Sequence, residues 1–396
     1  MKKLIIFHLF PVLICLAVIF IYNQDIKQLF SSKIYCNNVD ISFRHIDKFS
    51  SHPGFEDIFL STGDTTEIIW MLGSSELGVN TEATPYNFIN DNFKTHLKGV
   101  GHAGNQSFSI FSALLANVSK LENAPIIILV SPGWFHSESA AGTSASVFLE
   151  FNSTSFLDKI AINDADEAFR MYESKRVSEL YDEFSNPGLA MKVMNLENHP
   201  ENGMRSQIFS YPINLFYSSM LSLRKCLLYS NWLSRQRMNR NPILTEEINI
   251  NWDSLILASS EEQSKKCGNN HWGVDSDYYN EYVNGNTSVI SIISDNDNQE
   301  LKDFCMLVKL LKEKKANASF VIQPINPFYY TNAPELNGLI SKVEMEISMN
   351  SFPCLNLWNA DSITFEKSVL KDIMHLSSCG WYKVDKFIVE TYNLSR

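Results

Sequence analysis

A nearly unbroken apolar run, P-I-I-I-L-V-S at residues 125–131, restricts the fold of this chain more than any other feature of its sequence. A strand whose side chains are all apolar must be covered on both faces, and such strands are typical of parallel sheets that carry helices on each side. Three further segments have the apolar, β-rich composition of strands, at residues 66–72, 318–323 and 352–358. The sequence therefore predicts a mostly parallel central sheet.

Helical patterns lie between the predicted strands, at residues 107–121, 300–315 and 380–392. The clearest, at 300–315, repeats apolar residues at helical spacing, namely Leu301, Phe304, Cys305, Val308 and Leu311. The last places on one face Trp381, Val384, Phe387 and Ile388. This alternation predicts an α/β fold of three layers, with the sheet between two layers of helices. Ligands in such folds bind outside the carboxyl ends of the strands.

The middle of the chain, at about residues 155–290, does not follow this alternation. It is polar, helical in pattern and interrupted by breaks such as N-P-G at 186–188. We interpret it as a helical insertion, or cap, over the sheet. With 396 residues, 45% of them hydrophobic, the chain is long enough for one large domain at 65–396 that contains this insertion.

The N-terminus predicts a transmembrane helix at residues 1–23, followed by a linker at 24–64. Two lysines precede an uncharged apolar stretch at 4–22, whose length of about 19 residues matches a bilayer span. A polar sequence, Y-N-Q-D, follows it where a cleavable signal peptide would carry small residues, and cleavage is the alternative. The lysines predict a cytoplasmic N-terminus, a single-pass inner-membrane anchor and an extracytoplasmic domain.

Six of the seven cysteines follow the predicted anchor, namely Cys36, Cys226, Cys267, Cys305, Cys354 and Cys379. An even number in an exported chain is compatible with disulfides, and the sequence does not choose a pairing. This favours a periplasmic location. Free buried thiols are the alternative, and Cys305 at a core-facing helical position is the best case for them.

Charge and motif content exclude several classes of function. The net charge of −11 argues against a nucleic-acid surface, which needs clustered Lys and Arg. No CxxC or HExxH spacing occurs, so neither a metal site nor a cofactor is predicted.

Two serines and a glutamate follow the first predicted strand, in M-L-G-S-S-E-L-G at 71–78. A turn at the carboxyl end of a parallel strand suits a nucleophile, but a serine needs a base, usually a histidine that a carboxylate orients. Asp372 and His375 can share one turn near the other end of the chain and are the candidate partners. A turn or helix cap is the alternative for the serines, and Glu76 is interpreted as a first-turn acid.

Four motifs in this order resemble the DltD family within the SGNH, or GDSL-type, hydrolase fold. They are the N-terminal anchor, G-S-S-E-L at 73–77, S-P-G-W-F at 131–135, and D-I-M-H at 372–375 with Gly380-Trp381 after it. The likeness covers residues 1 to about 30 and 65–395, apart from the middle region. Each motif is weak alone, and their order makes the resemblance specific.

The resemblance implies a set of site residues. Ser75 corresponds to the nucleophile, His375 to the base and Asp372 to the residue that orients it, while Ser74 replaces the Asp of Gly-Asp-Ser. The N–H groups of Ser75 and Gly104 are the expected oxyanion donors. The chain has Gly133-Trp134 where the fold usually provides an asparagine, so Asn105 is the candidate for a third donor.

Three further residues are candidates for lining the substrate cleft, namely Trp134, Gln323 and Asn326. Packing of Trp134 in the core and a plain loop at 323–327 are the structural alternatives.

The implied activity is serine acyl transfer, or thioester hydrolysis, in D-alanylation of a cell-envelope polymer. The expected partners are the membrane, a D-alanyl donor, a membrane-bound O-acyltransferase and a polymer acceptor, which the cysteines suggest differs from lipoteichoic acid. An O-acetyl esterase or O-acetyltransferase of an exported polysaccharide is one alternative. A non-catalytic partner that recruits the acyltransferase is the other.

Overall fold

The computed structural model describes residues 68–79, 81–101, 103–136, 139–152, 156–162, 165–184, 250–268 and 270–395. Within these ranges five strands form one sheet in the order β2-β1-β3-β4-β5, and every neighbouring pair is parallel. The strands are β1 Ile68–Gly73, β2 His96–Gly101, β3 Pro125–Val130, β4 Asn317–Ile322 and β5 Cys354–Asn356. The prediction of an α/β fold with a parallel sheet is confirmed.

Both faces of the sheet are buried, as the apolar run at 125–131 requires. In β3, Ile126 and Ile128 belong to one hydrophobic core, whereas Ile127 and Leu129 belong to the other. All these side chains are fully buried. Because side chains of a strand alternate between its faces, one apolar run supplies the centre of two cores.

Nine helices of seven or more residues in the described ranges surround the sheet. They are α1 Pro85–Asn92, α2 Ser107–Leu115, α3 Ala145–Phe151, α4 Phe156–Ile162, α5 Glu167–Phe184, α6 Trp252–Lys266, α7 Gln299–Glu313, α8 Asn337–Met349 and α9 Ser378–Tyr392. The core on one face includes residues of α2–α5, α7 and α8, and the core on the other includes residues of α1 and α9. Helix α6 packs against α9. The predicted three layers are therefore present.

Local sequence explains where the predicted helices begin and end. Helix α7 begins after Asn298, whose side chain accepts the Leu301 N–H at 3.0 Å, and its buried face includes Phe304 and Val308. Helix α9 begins after Ser377, whose hydroxyl accepts the Gly380 N–H at 3.3 Å. The predicted helix at 107–121 is shorter, because α2 ends at Leu115 and only a 3₁₀ turn follows at Val118–Lys120.

The described parts of the predicted insertion are mainly helical and extend both helical layers. Phe156 of α4 and Phe169 of α5 are fully buried in the first core, so these two helices pack against the rest of that layer. Trp252 at the start of α6 contacts Phe88 of α1, with ring centroids 5.7 Å apart. The boundaries of the insertion stay a prediction.

No helix in the described part of the chain is both long enough and apolar enough to cross a bilayer. The predicted anchor at 1–23 and the predicted linker at 24–64 lie outside the described residues.

The four described cysteines are free thiols, namely Cys267, Cys305, Cys354 and Cys379. The expectation of disulfides is therefore not met among them, and Cys36 and Cys226 lie outside the described residues. Burial raises the pKa of the Cys305 thiol to about 11 and that of Cys354 to about 12, with nearby glutamates acting in the same direction. Thiols of this kind carry little thiolate at neutral pH and react slowly.

A cluster of buried acids joins α5 to α7. The Arg176 guanidinium binds both carboxylate oxygens of Asp303, at 2.9 and 3.1 Å, and the Tyr172 hydroxyl donates to the same carboxylate at 2.5 Å. Glu173 and Glu300 are also fully buried in this region. Burial raises the pKa of Glu173 to about 8, nearby Asp303 adds to the rise, and a hydrogen bond from Ser112 and the Arg176 charge oppose it.

This raised pKa predicts a pH-dependent stability that Glu173→Gln should weaken. The folded protein holds the Glu173 proton up to a pH of about 8, whereas the unfolded chain releases it near pH 4.5. The unfolding free energy should therefore fall as the pH rises through this window, on the order of 1.4 kcal/mol for each unit of pKa difference. Urea unfolding of both proteins between pH 5 and pH 8 measures this. Equal slopes in the two proteins would contradict the assignment.

Candidate active site

The nucleophile turn lies at the carboxyl end of β1. A 3₁₀ turn, Ser75–Gly78, follows Gly73 and Ser74 directly. A Cβ atom on Gly101, at the end of the neighbouring β2, would lie 2.6 Å from the Ser74 carbonyl oxygen. Glycine is therefore required there for the two strand ends to approach each other, and the turn is held close to the loop after β2.

The candidate base lies in a small closed loop between β5 and α9. Leu370 and Leu376 form an antiparallel bridge, and the Lys371 N–H donates to the His375 carbonyl at 2.9 Å. Inside the loop, Asp372 Oδ1 accepts the backbone N–H groups of Met374 at 2.9 Å and His375 at 2.8 Å. The Asp-x-x-His spacing thus folds as a local turn, as the sequence predicted.

The structure brings Ser75, His375 and Asp372 together across 300 residues of sequence. Ser75 Oγ lies 3.0 Å from His375 Nε2. On the other side of the ring, His375 Nδ1 lies 2.9 Å from Asp372 Oδ2 and 3.1 Å from Oδ1. With the ring proton on Nδ1, Nε2 can accept the Ser75 hydroxyl proton, which is the arrangement that an activated serine requires.

The electrostatics of the pair keep the aspartate ionised. Burial of Asp372 acts to raise its pKa, but the hydrogen bond and the charge of His375 and the N–H groups of Met374 and His375 outweigh it, so the pKa is lowered. The Asp372 side chain is 8% exposed and the His375 side chain 25% exposed. A buried carboxylate beside a more accessible imidazole can orient the ring and stabilise its protonated form.

The loop after β2 contributes the proposed oxyanion donors. Gly104 has a φ of +79° and is exposed, which places it in the left-handed conformation that glycine favours. Asn105 is fully buried, and its Nδ2 donates to the Gly73 carbonyl at 3.0 Å, so this loop is fixed against the nucleophile turn. Among the described residues, the backbone N–H groups of Ser75 and Gly104 donate to no acceptor. Donation by Asn105 to an oxyanion stays a prediction.

Trp134 lies in the 3₁₀ turn Pro132–Phe135 after β3. It is 4% exposed and packs on Phe135, with ring centroids 6.5 Å apart. The Gln106 side chain donates to its carbonyl at 3.1 Å and thereby joins the loops after β2 and β3. The sequence alternatives were a core role and a cleft role, and this burial favours the core role.

Asn326 connects three segments beside the triad. Its N–H donates to the Ile373 carbonyl and its Nδ2 donates to the Trp272 carbonyl, both at 2.9 Å, while its Oδ1 accepts the Phe328 N–H at 2.9 Å. The side chain is fully buried, so the described structure gives it a supporting position under the Asp372 loop. Contact between Asn326 and a substrate stays a prediction.

The segment at 272–283 forms one wall beside the base. The Asp275 N–H donates to the Lys371 carbonyl at 2.8 Å. Burial, followed by the charge of Asp372, raises the pKa of Tyr278 to about 12, so this phenol remains protonated at neutral pH. The Tyr278 ring packs at a tilt against exposed Tyr282, with ring centroids 4.9 Å apart. This wall belongs to the predicted insertion and was not recognised in the sequence, because no motif marks it.

Glu76 and Gln323 are buried next to the nucleophile turn. Glu76 is 3% exposed and Gln323 is 1% exposed. Glu76 lies in the first turn of the 3₁₀ segment Ser75–Gly78, as the sequence interpretation has it, and its carboxylate folds back and accepts the Ser74 N–H at 2.7 Å. Gln323 follows β4, and its side-chain amide lies close enough to Glu76 to act to lower the pKa of that carboxyl group.

Comparison with known proteins identifies the family. A family model described as DltD protein matches residues 58–393 of this chain. The chain belongs to the DltD family. Protein DltD of Bacillus subtilis (strain 168) is 25% identical over 356 residues, which cover 82% of this chain and 82% of that protein. The family assignment made from the sequence is confirmed, and the matched span includes every residue of the candidate site.

Within the described part of this DltD-family chain, no group of three or more His, Cys, Asp or Glu side chains is arranged to hold a metal ion.

The Asp372 geometry predicts that Asp372→Asn slows reaction of Ser75 with an electrophile. The asparagine keeps the turn but loses the charge that orients and stabilises the His375 ring. We expect a loss of about 10²–10⁴-fold, the usual range for general-base assistance. The rate of Ser75 labelling by a fluorophosphonate measures it. Asp361→Asn is the matched control, since exposed Asp361 also accepts a backbone N–H two residues on. Equal rates in both variants would contradict this role.

The Asn326 contacts predict that Asn326→Asp destabilises the protein by about 1–3 kcal/mol, the cost of leaving a buried polar group unpaired. The aspartate still accepts the Phe328 N–H but cannot donate to the Trp272 carbonyl. Urea unfolding measures the loss. Asn356→Asp is the control, because exposed Asn356 has the same Asx contact, to the Trp358 N–H. An equal effect at both positions would show that the link to Trp272 has no energetic importance.

Proposed function

We propose that this chain is a membrane-anchored, extracytoplasmic serine acyltransferase or thioesterase that acts in D-alanylation of a cell-envelope polymer. The proposal starts from the family, whose members act in D-alanylation of teichoic acids. The observation that carries the chemistry is the pair of contacts at 3.0 Å from Ser75 Oγ to His375 Nε2 and 2.9 Å from His375 Nδ1 to Asp372 Oδ2. A partner without catalytic function would not need this arrangement.

The first half of the proposed reaction forms an acyl-enzyme. His375 Nε2 takes the Ser75 hydroxyl proton while Ser75 Oγ bonds to the carbonyl carbon of a D-alanyl thioester or ester. The N–H groups of Ser75 and Gly104, with Asn105 as the third candidate, stabilise the oxyanion. As the carbon–sulfur or carbon–oxygen bond of the donor breaks, His375 returns the proton to the leaving group.

The second half transfers the acyl group. A hydroxyl of the acceptor, or water, gives its proton to His375 and bonds to the carbonyl carbon. Ser75 Oγ leaves and regains the proton from His375, so the enzyme ends in its starting state. Asp372 remains ionised throughout, in agreement with its lowered pKa. An SGNH-type hydrolase site works in this way, and the order of the sheet strands is compatible with that fold.

The proposed location and partners rest on sequence features outside the described residues. The apolar stretch at 4–22 would anchor the chain in the inner membrane with its N-terminus in the cytoplasm. The domain would then lie in the periplasm, beside a membrane-bound O-acyltransferase that passes on the D-alanyl group. A hydroxylated envelope polymer would be the acceptor.

The proposal predicts that a fluorophosphonate labels Ser75 of the purified full-length chain in detergent. Ser75 Oγ would bond to phosphorus with loss of fluoride, and mass spectrometry of the labelled peptide would locate the product. Ser75→Ala should abolish the label, and His375→Ala should slow it by about 10²–10⁴-fold, because the general base is removed.

Ser74→Ala is the control for this experiment, since its hydroxyl has no role in the proposed chemistry. Absence of label from wild-type protein that unfolds cooperatively would contradict the enzymatic proposal. That result would favour a recruiting function for the chain.

A further inference from the structure

Glu76 is a fully buried acid that the proposed reaction does not use. It directly follows the nucleophile Ser75, and its side chain turns back so that Oε1 accepts the Ser74 N–H at 2.7 Å. Burying a carboxyl group is costly unless its oxygens are paired. We therefore expect the buried Glu76 carboxyl group to stabilise the turn that carries Ser75.

Gly73 leaves the space that this carboxyl group occupies. A Cβ atom on Gly73 would lie 2.6 Å from Glu76 Oε1 and 3.1 Å from Leu129 Cβ. The first is closer than a real Cβ contact allows, and Leu129 belongs to the buried core of β3, which cannot move aside. Gly73 and Glu76 are thus complementary, because the glycine opens the space that the carboxyl group occupies.

A second buried polar group, the side-chain amide of Gln323 directly after β4, lies near the same carboxyl group. Gln323 Nε2 is fully buried and has no hydrogen bond of ordinary geometry among the described residues. Its amide nevertheless lies near enough to Glu76 to lower the pKa of that acid. Burial raises the pKa of Glu76, whereas the N–H groups of Ser74 and Glu76, the charge of His375 and the Gln323 amide lower it, and burial dominates.

The effect of these contacts on the turn is asymmetric. The Ser74 N–H is bound by Glu76, while the next N–H, that of Ser75, has no acceptor in the described ranges. We propose that Glu76 is a positioning residue whose side-chain oxygen fixes the Ser74 amide, so that the Ser75 N–H and hydroxyl face the reacting carbonyl together. This inference rests on the proposed function, in which Ser75 supplies both the nucleophile and an oxyanion donor.

Glu76 acts here as a hydrogen-bond acceptor, and its charge is not needed. Glutamine keeps an oxygen at the same distance from the backbone, and the adjacent Gln323 amide can turn its own oxygen toward the new NH₂ group. Glu76→Gln should therefore preserve the turn, whereas Glu76→Ala leaves the buried Ser74 N–H unpaired. Comparison of the two variants therefore separates the effect of the hydrogen-bond acceptor from the effect of the charge.

Hydrogen–deuterium exchange of the full-length chain in detergent tests the contact without depending on reactivity. Peptides that cover residues 71–79 should gain about one more early-exchanging amide in Glu76→Ala than in wild type. Glu76→Gln should exchange like wild type. Equal exchange in wild type and Glu76→Ala would overturn the proposal even if Ser75 proves unreactive.

Fluorophosphonate labelling of Ser75 tests the consequence for reactivity. We expect a loss of about 100-fold in Glu76→Ala, the usual cost of displacing a reacting group by about 1 Å, and a rate within about threefold of wild type in Glu76→Gln. Glu173→Ala is the matched control for loss of a buried acid, and it should label at the wild-type rate at temperatures where it stays folded.

The possible outcomes distinguish this proposal from the enzymatic one. A wild-type protein without label contradicts the enzymatic function, and exchange still decides whether Glu76 holds the turn. A wild-type rate in Glu76→Ala, or a rate in Glu76→Gln as low as in Glu76→Ala, overturns the positioning role while leaving Ser75 as the nucleophile.

Discussion

Coverage of both faces of a parallel sheet is the constraint on which the rest of this structure depends. Because β3 is apolar throughout, helices must pack on each side of it, and parallel strands in turn require that each connection return over a face. All strands then end at the same edge, where the backbone changes from strand to turn. The loops that follow β1, β2, β4 and β5 meet at this edge, and the candidate site is made from them.

Sequence patterns predicted the parts of this fold that depend on local periodicity. The runs at 125–131 and 318–323 became β3 and β4 almost unchanged, because buried central strands need unbroken apolar side chains. The edge strand β5 is three residues long, although 352–358 was predicted, since a strand with a neighbour on one side is only half-buried. The described helices of the middle region pack into the layers through contacts between distant segments, which no local pattern encodes.

The residues proposed to take part in the reaction could be predicted from the sequence, whereas the contacts that hold them in place could not. Ser75, Asp372 and His375 were found because reactive residue types stood in recognisable motifs. Glu76 was recognised as a first-turn acid, but its burial was not predicted, because such an acid is usually solvated and only the space beside Gly73 allows it to turn inward. Asn326 was a sequence candidate for lining the cleft, but its supporting contacts were not predicted, since they depend on the backbone groups of distant segments that it joins.

The closed loop that carries Asp372 and His375 has a consequence for how the chain reaches its native state. The bridge between Leu370 and Leu376 and the Asp372 turn are contacts between near neighbours, so the acid–imidazole pair can form at low entropic cost. The contact from Ser75 to His375 spans 300 residues and depends on the packing of β1 and α9 in one core. The contact between Asp372 and His375 is thus local, whereas the contact between Ser75 and His375 exists only in the assembled domain. In an incompletely folded chain Ser75 therefore has no base within reach, and its hydroxyl is only a weak nucleophile.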